Sequence, residues 1–127
     1  MKTPEELKYS KTHEWVRVTA DNECEVGLTD YAQDALGDLV FVNLPDPGAD
    51  AVKEETICDV ESVKAVSDVY APVSGVVSEV NEELLDSPEL INNDPYGAWL
   101  FRLTDVTGSD DLMNAEEYAQ FCEEEAQ

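Results

Sequence analysis

Thirty acidic residues against seven basic ones give this 127-residue chain a formal net charge of −23. A field of that sign opposes binding to nucleic acid or to an anionic membrane, so neither is expected as a partner. The length suits one domain, residues 1–127, and no apolar run approaches the ~18 residues that cross a bilayer. The acidity fits either attraction to basic faces of partner proteins or plain solubility, including solubility in a salt-rich setting.

The start of the chain and its cysteines bear on the compartment. Residues 1–6 have neither an apolar signal region nor the Arg-rich, acid-poor character of a transit peptide. The cysteines, Cys24, Cys58 and Cys122, form no C-x-x-C pair, so no metal site is expected, and Cys24 and Cys58 alternate with polar residues like core side chains. We expect a cytoplasmic protein, with a mature organelle protein as the alternative.

The first third of the chain predicts a lead-in, a hairpin and a short helix. Residues 1–13 are polar and predict a loosely held lead-in segment. Apolar and polar residues alternate over 14–19 and again over 24–28, which predicts a β-hairpin. Thr29-Asp30 offers an N-cap and Gly37 a stop, so a helix lies between them and must pack on a sheet to be stable.

The next run, 38–44, predicts a strand. Strict alternation would place Val40 and Val42 on one face and Leu39 and Phe41 on the other.

A second hairpin carries a lysine at its bend. The β-branched run 56–60 leads in and the alternating run 66–70 leads out, with Lys64 between them. Gly75 precedes a further strand, 76–80, and its position predicts either a positive φ or a close backbone approach.

The rest of the chain predicts two single helical turns, one strand and a C-terminal helix. The helical turns lie at 81–85 and after Ser87-Pro88, and the strand lies at 99–103. The C-terminal helix covers 114–125 and begins with a capping box of Asn114 and Glu117. Short strands with peripheral helices indicate a small β-rich α+β fold.

An exposed lysine at a hairpin tip suits acylation better than its other uses. A Schiff-base lysine needs burial, and a phosphate-binding lysine needs a Gly-rich loop, which this segment lacks. At a tip, the Lys64 side chain projects clear of the fold, where a modifying enzyme can reach it. The alternative is an ordinary solvated surface lysine.

The residues around Lys64 resemble a known modification motif. Residues 61–68, followed by 70–75, are similar to the lipoylation motif of the H proteins of the glycine cleavage system. Further blocks resemble the same family in the expected order: 13–16, 26–33, 36–42, 44–45, 81–82, 88–92, 95–97 and 115–118. The resemblance covers nearly the whole chain.

The resemblance implies a fold and a role. The fold is a flattened sandwich of two antiparallel sheets, the barrel-sandwich hybrid of lipoyl and biotinyl carriers. The role is that of a non-catalytic carrier with lipoate attached covalently to Lys64 by a lipoate ligase or an octanoyl/lipoyl transferase. Such a carrier takes an aminomethyl group from the glycine decarboxylase (P protein) to the folate-dependent aminomethyltransferase (T protein), and its reduced dithiol to dihydrolipoyl dehydrogenase (L protein).

Three carboxylates are candidate site residues, each with a plainer alternative. Glu61 and Asp68 flank Lys64, where they serve either recognition by the lipoylating enzyme or solubility of the tip. The loaded arm carries an ammonium group that needs shelter from water. One hypothesis is that Glu14 supplies the carboxylate of a sheltering groove; the alternative is that it merely flanks the first strand. His13, the sole histidine, is expected to be neither catalytic nor a metal site.

Other roles stay open at this point. They are an H-like relay of lipoyl groups, a carrier for another lipoate-dependent pathway and, from a different class, an unmodified acidic binding module. A biotinyl carrier fits less well because methionines typically flank its lysine, and the two methionines here lie elsewhere. A lipoyl domain of a 2-oxo acid dehydrogenase would lack the terminal blocks.

Overall fold

The structure, a computed structural model, describes residues 1–126 and is organised around two antiparallel sheets. The strands of the described residues are β1 (Lys8–Tyr9), β2 (Glu14–Ala20), β3 (Glu23–Leu28), β4 (Leu39–Asn43), β5 (Asp50–Ala51), β6 (Thr56–Ser62), β7 (Val66–Tyr70), β8 (Ser74–Val80) and β9 (Phe101–Thr107). The larger sheet has the order β1-β2-β3-β9-β8-β5 and the smaller one the order β4-β6-β7. The predicted β-rich sandwich and both predicted hairpins are confirmed.

The helices are α1 (Asp30–Leu36), α2 (Glu83–Asp86), α3 (Leu90–Asn93) and α4 (Ala115–Ala126). The side chain of Thr29 accepts a hydrogen bond from the Ala32 amide at the start of α1, and Gly37, with φ of 82°, ends that helix. At the start of α4, Asn114 and Glu117 exchange backbone-to-side-chain hydrogen bonds of 2.8 and 3.0 Å. These caps confirm the helix ends that the sequence predicts.

The main core lies between the two sheets. Val26, Val77 and Phe101 of the larger sheet pack with Val42 and Val60 of the smaller one. The buried thiols Cys24 and Cys58 belong to the same core, and Cys122 lies in a second cluster; all of these cysteines are free. Within residues 1–126, no helix has the length and apolar character needed to span a bilayer.

The second core cluster corrects one expectation. The lead-in was predicted to be loosely held, yet Leu7 and Tyr9 are fully buried together with Trp15 and Tyr118. The ring of Tyr9 stacks on that of Tyr118 at 4.6 Å, and its backbone pairs with Met113. The lead-in is mainly polar, so its average composition predicted a loose segment. Its few apolar side chains nevertheless hold it in the second core cluster.

The burial pattern of β4 also differs from the prediction. Strict alternation was predicted, but Leu39 and Val42 are both buried while Val40 and Phe41 are 53% and 49% exposed. The pairing of β4 with β6 shifts register between Leu39 and Phe41, so the strand carries a bulge at this point. A bulge adds a residue to one strand and breaks its period of two.

Candidate functional site

The turn that joins β6 to β7 is fixed by hydrogen bonds from its own residues. The Ser62 amide donates to the Ala65 carbonyl at 2.8 Å. The hydroxyl oxygen of Ser62 accepts hydrogen bonds from the amides of Lys64 and Ala65, each at 3.1 Å. The Val63 amide donates to the Asp38 carbonyl at 3.0 Å, which ties the turn to the residue just before β4. Lys64 therefore stands on a defined support rather than on a loose loop.

The sequence predicted that the Lys64 side chain would project clear of the fold. Lys64 is exposed, but its stem lies against Gly37 instead of pointing straight outward. A Cβ placed on Gly37 would lie 2.9 Å from the Lys64 Cε and 3.5 Å from its Nζ. The lysine stem therefore crosses the bare backbone where α1 ends. Because Gly37 has no side chain, the amine remains accessible from solvent while the stem has a surface to lie on.

A groove of about 160 Å³ lies between α1 and β7. Its apolar lining comes from Leu28, Tyr31, Ala32, Ala35, Leu36, Val60 and Val69, and its polar lining from Thr12, His13, Glu14, Ser67 and Asp68. Gly37 follows Leu36 directly, so the groove begins beside the residue on which the Lys64 stem lies. It then follows α1 and β7 away from the turn.

Glu14 is the buried acid of this groove. Its side chain is 1% exposed and accepts hydrogen bonds from the hydroxyls of Ser10, at 2.7 Å, and of Thr12, and from the Tyr70 amide at 3.4 Å. No cation pairs with it among the described residues. Burial raises the pKa of Glu14 to about 7, although each of these hydrogen bonds acts to lower it. The groove therefore contains a carboxyl group whose pKa lies near neutrality rather than in the usual acidic range.

Glu61 and Asp68 lie on the outer face of the smaller sheet. Glu61 pairs with Val66, and Asp68 pairs with Asp59 two positions further along, so Glu61 and Asp68 are diagonal neighbours. Asp68 also lines the groove, whereas Glu61 does not. The structure thus brings Asp68 to the same groove as Glu14 and leaves Glu61 beside the lysine turn. Their recognition roles stay predictions.

Comparison with known proteins gives the family. The glycine cleavage H-protein family model matches residues 7–125. A glycine cleavage system H protein of Coprothermobacter proteolyticus is 59% identical, over 98% of this chain and all of that protein. One from Lachnoclostridium phytofermentans is 58% identical, over 98% of both chains. A crystal structure of a glycine cleavage system H protein from Mycobacterium marinum, 42% identical, superposes with a TM-score of 0.87 over 92% of this chain and 96% of that one.

The chain belongs to the glycine cleavage H-protein family. Membership confirms the resemblance drawn from the sequence and the predicted role as a carrier in the glycine cleavage system. It also confirms the sandwich fold, which strand patterns alone do not specify.

In this family member, His13 has structural partners. Its Nδ1 lies 2.7 Å from the Tyr118 hydroxyl and its Nε2 lies 2.6 Å from a Glu125 oxygen, while its ring stacks on Tyr31 at 4.5 Å. The histidine therefore joins the entry to β2 with α1 and α4. Among the described residues, no group of His, Cys, Asp and Glu side chains could hold a metal ion.

Proposed function

We propose that this H-protein family member carries lipoate on the Lys64 Nζ and serves as the non-catalytic carrier of a glycine cleavage system. Its partners are the glycine decarboxylase, the aminomethyltransferase, dihydrolipoyl dehydrogenase and a lipoate ligase or octanoyl/lipoyl transferase. The observation that carries the proposal is an exposed lysine on a hydrogen-bonded turn, with its stem against Gly37 at the end of the helix that lines a groove. Residues 1–127 would act as one carrier domain.

The residues present fit a lipoyl group. Attachment joins the Lys64 nitrogen to an activated acyl carbon as an amide and releases a proton and the leaving group of the donor. Lysine plus the acyl chain reaches on the order of 12–14 Å from the backbone. At about 3.3 Å per residue, the five residues of β7 span roughly 16 Å, so the tether would run beside most of β7 towards Tyr70, whose amide donates to Glu14, without spanning the whole strand. When bound, the group supplies thiol–disulfide chemistry.

Glu14 would hold the amino group of the cargo. An ammonium entering the groove would pair with this carboxylate and drive off its proton, because an adjacent positive charge favours the ionised acid. Ser10 and Thr12 orient the carboxylate through their hydroxyls, and the apolar lining excludes water from the same space.

Replacing Glu14 tests this role. Glu14→Gln keeps the shape of the side chain and removes its charge, so the cargo-loaded carrier should lose its one-carbon unit to water at least about five-fold faster. Mass spectrometry of the loaded protein over time gives the lifetime, with Glu116→Gln, an exposed acid on α4, as the control. Equal lifetimes for Glu14→Gln and the unsubstituted protein would remove Glu14 from the mechanism.

Reconstitution tests the carrier function. With purified glycine decarboxylase, the lipoylated protein should support release of CO2 from glycine, and Lys64→Arg should reduce that release to background. Lys53→Arg is the control, because Lys53 is engaged with Asp111 away from the turn. A lipoylated protein that the decarboxylase does not use would instead indicate another lipoate-dependent pathway. The proposed compartment is the cytoplasm, where the free thiols stay reduced.

A further inference from the structure

The turn that joins β1 to β2 has a left-handed backbone at His13. The Ser10 amide donates to the Glu14 carbonyl at 2.9 Å, and the His13 amide donates to the Ser10 carbonyl at 3.2 Å. A turn of this kind commonly ends in a residue with positive φ, and His13 has φ of 72°. Glycine adopts that conformation freely, whereas a residue with a Cβ is disfavoured there. A histidine at this position therefore has to be held by its surroundings.

The same turn holds the acid of the groove. Ser10 and Thr12 lie in the turn and donate from their hydroxyls to the Glu14 carboxylate. The Glu14 amide donates in return to the Ser10 hydroxyl oxygen at 3.0 Å. Glu14 follows His13 directly, so the direction in which its side chain leaves the backbone depends on the conformation of His13. Loosening the turn would displace the carboxylate together with both of its hydroxyl partners.

A chain of hydrogen bonds holds the His13 ring from outside the turn. Its Nε2 lies 2.6 Å from a Glu125 oxygen, and a carboxylate only accepts, so a neutral ring has its proton on Nε2. Nδ1 then accepts from the Tyr118 hydroxyl at 2.7 Å. The Thr29 hydroxyl, 2.6 Å from that of Tyr118, donates to it and accepts from the Ala32 amide. The chain therefore runs from α4 through the histidine to the N-cap of α1.

Ring packing and a backbone contact add to this restraint. The His13 ring stacks on that of Tyr31 at 4.5 Å and meets the Tyr118 ring edge-on at 5.7 Å. The His13 carbonyl accepts from the Thr29 amide at 3.1 Å, and the side chain is only 15% exposed. Tyr31 and His13 both line the groove. The contacts that hold the ring thus hold one wall of the groove as well.

We propose that His13 is a positioning residue for the groove: α1 and α4 hold its ring, and the ring keeps the turn in the conformation that aims Glu14 at the cargo. In this way α4 influences the groove through Tyr118 and Glu125. The histidine acts through Glu14 and transfers no proton to the cargo. The inference rests on the proposed function, since it assigns His13 to the shelter that Glu14 provides.

Replacing His13 by glycine removes the ring and keeps the turn. Glycine suits the left-handed conformation, so His13→Gly should fold, which circular dichroism establishes. The lipoylated, cargo-loaded variant should lose its one-carbon unit to water at least about three-fold faster, because the carboxylate is no longer held in place. Mass spectrometry over time gives the lifetime. An unchanged lifetime, next to a shortened one for Glu14→Gln, would overturn the proposal.

A double variant shows whether His13 acts through Glu14. If it does, His13→Gly/Glu14→Gln should have the lifetime of Glu14→Gln alone, to within about 1.5-fold. Independent effects would multiply, and a multiplied loss would contradict the proposal. A general weakening of the fold would also act independently of Glu14, so this comparison separates positioning from stability.

Neighbouring acids of α4 give a matched pair for the link to that helix. Glu125→Gln keeps the shape of the side chain and removes the charge that strengthens its hydrogen bond with His13, so the loaded lifetime should fall about two-fold. Glu124→Gln, which replaces an exposed acid of the same helix, should leave the lifetime unchanged. Equal lifetimes for the two variants would contradict the role of α4.

Hydrogen exchange tests the placement of Glu14 in the protein without lipoate. The Glu14 and Tyr70 amides are hydrogen-bonded around the Glu14 carboxyl group. In His13→Gly both should exchange at least about ten-fold faster, while the Val77 amide in the main core keeps its rate. Unchanged exchange at Glu14 and Tyr70 would overturn the proposal. If Glu14→Gln itself leaves the loaded lifetime unchanged, the proposed function of Glu14 fails, and the exchange rates still decide whether His13 positions the turn.

Discussion

Glu14 couples the groove to the stability of the fold. Its pKa rises from 4.5 to about 7 because the folded protein withholds solvent from the carboxylate. The folded state therefore binds this proton more tightly than the unfolded chain does. The resulting stabilisation is fully present below pH 4.5 and is lost as the pH rises through about 7.

Glu14→Gln should therefore stabilise the protein at alkaline pH. A neutral amide avoids the buried charge, so the variant should exceed the unsubstituted protein by roughly 1–3 kcal/mol at pH 8 in denaturant unfolding. Near pH 4 the two free energies of unfolding should agree. Curves that stay parallel from pH 4 to pH 8 would show that Glu14 does not titrate in this range.

Some site residues could be found in the sequence and others could not. Lys64 stands out because it is a lone lysine at a hairpin bend. Ser10 and Thr12 are ordinary polar residues until the chain folds them around the Glu14 carboxylate. Ser62 was also missed, although a serine before a turn is a local signal, since its hydroxyl can accept from the amides that follow.

At the scale of elements, the sequence located the strands more reliably than it located bulges within them. Both hairpins follow from alternation and turn residues in the sequence. The bulge between Leu39 and Phe41 does not, because a register shift depends on the partner strand. The two-residue strand β1 was missed because two residues are too few to show alternation, although β1 pairs with the neighbouring strand β2 and forms a bridge to Met113.

Gly75 holds β8 close to β9. Its φ is not positive, so the close-approach alternative applies: a Cβ on Gly75 would lie 2.7 Å from the Thr104 carbonyl oxygen. Gly75→Ala should cost about 1–3 kcal/mol, because that oxygen belongs to the backbone and cannot rotate away.

Thermal unfolding measures the effect, with Ser78→Ala, an exposed position of the same strand, as the control. Gly75→Ala should still be acylated at Lys64 at temperatures where it is folded. An unchanged Tm would show that the two strands separate easily, and loss of acylation in a folded variant would give Gly75 a direct role.

At the scale of the molecule, the charge of −23 opposes the compact state. Added NaCl should raise the Tm by several degrees between about 20 mM and 0.5 M, because the Debye length falls and carboxylate repulsion is screened. Salt also weakens the pairs of Glu25 with Arg17 and Arg102, but thirty acids against seven bases leave repulsion dominant. A Tm that falls with salt would mean that those pairs outweigh the repulsion.

The alternation of apolar and polar residues could not predict which strands pair when they lie far apart in the sequence. The pairing of β3 with β9 joins Cys24 to Leu103, and nothing near either residue specifies the other. Family resemblance supplied the sandwich topology, whereas periodicity supplied only its strands.

The most direct test of the central claim is an intact-mass measurement after the protein is incubated with lipoate, ATP and a purified lipoate ligase. The account predicts one lipoyl adduct per chain, which digestion maps to Lys64, and none on Lys64→Arg. Adducts spread over several lysines, or one that persists in Lys64→Arg, would contradict it.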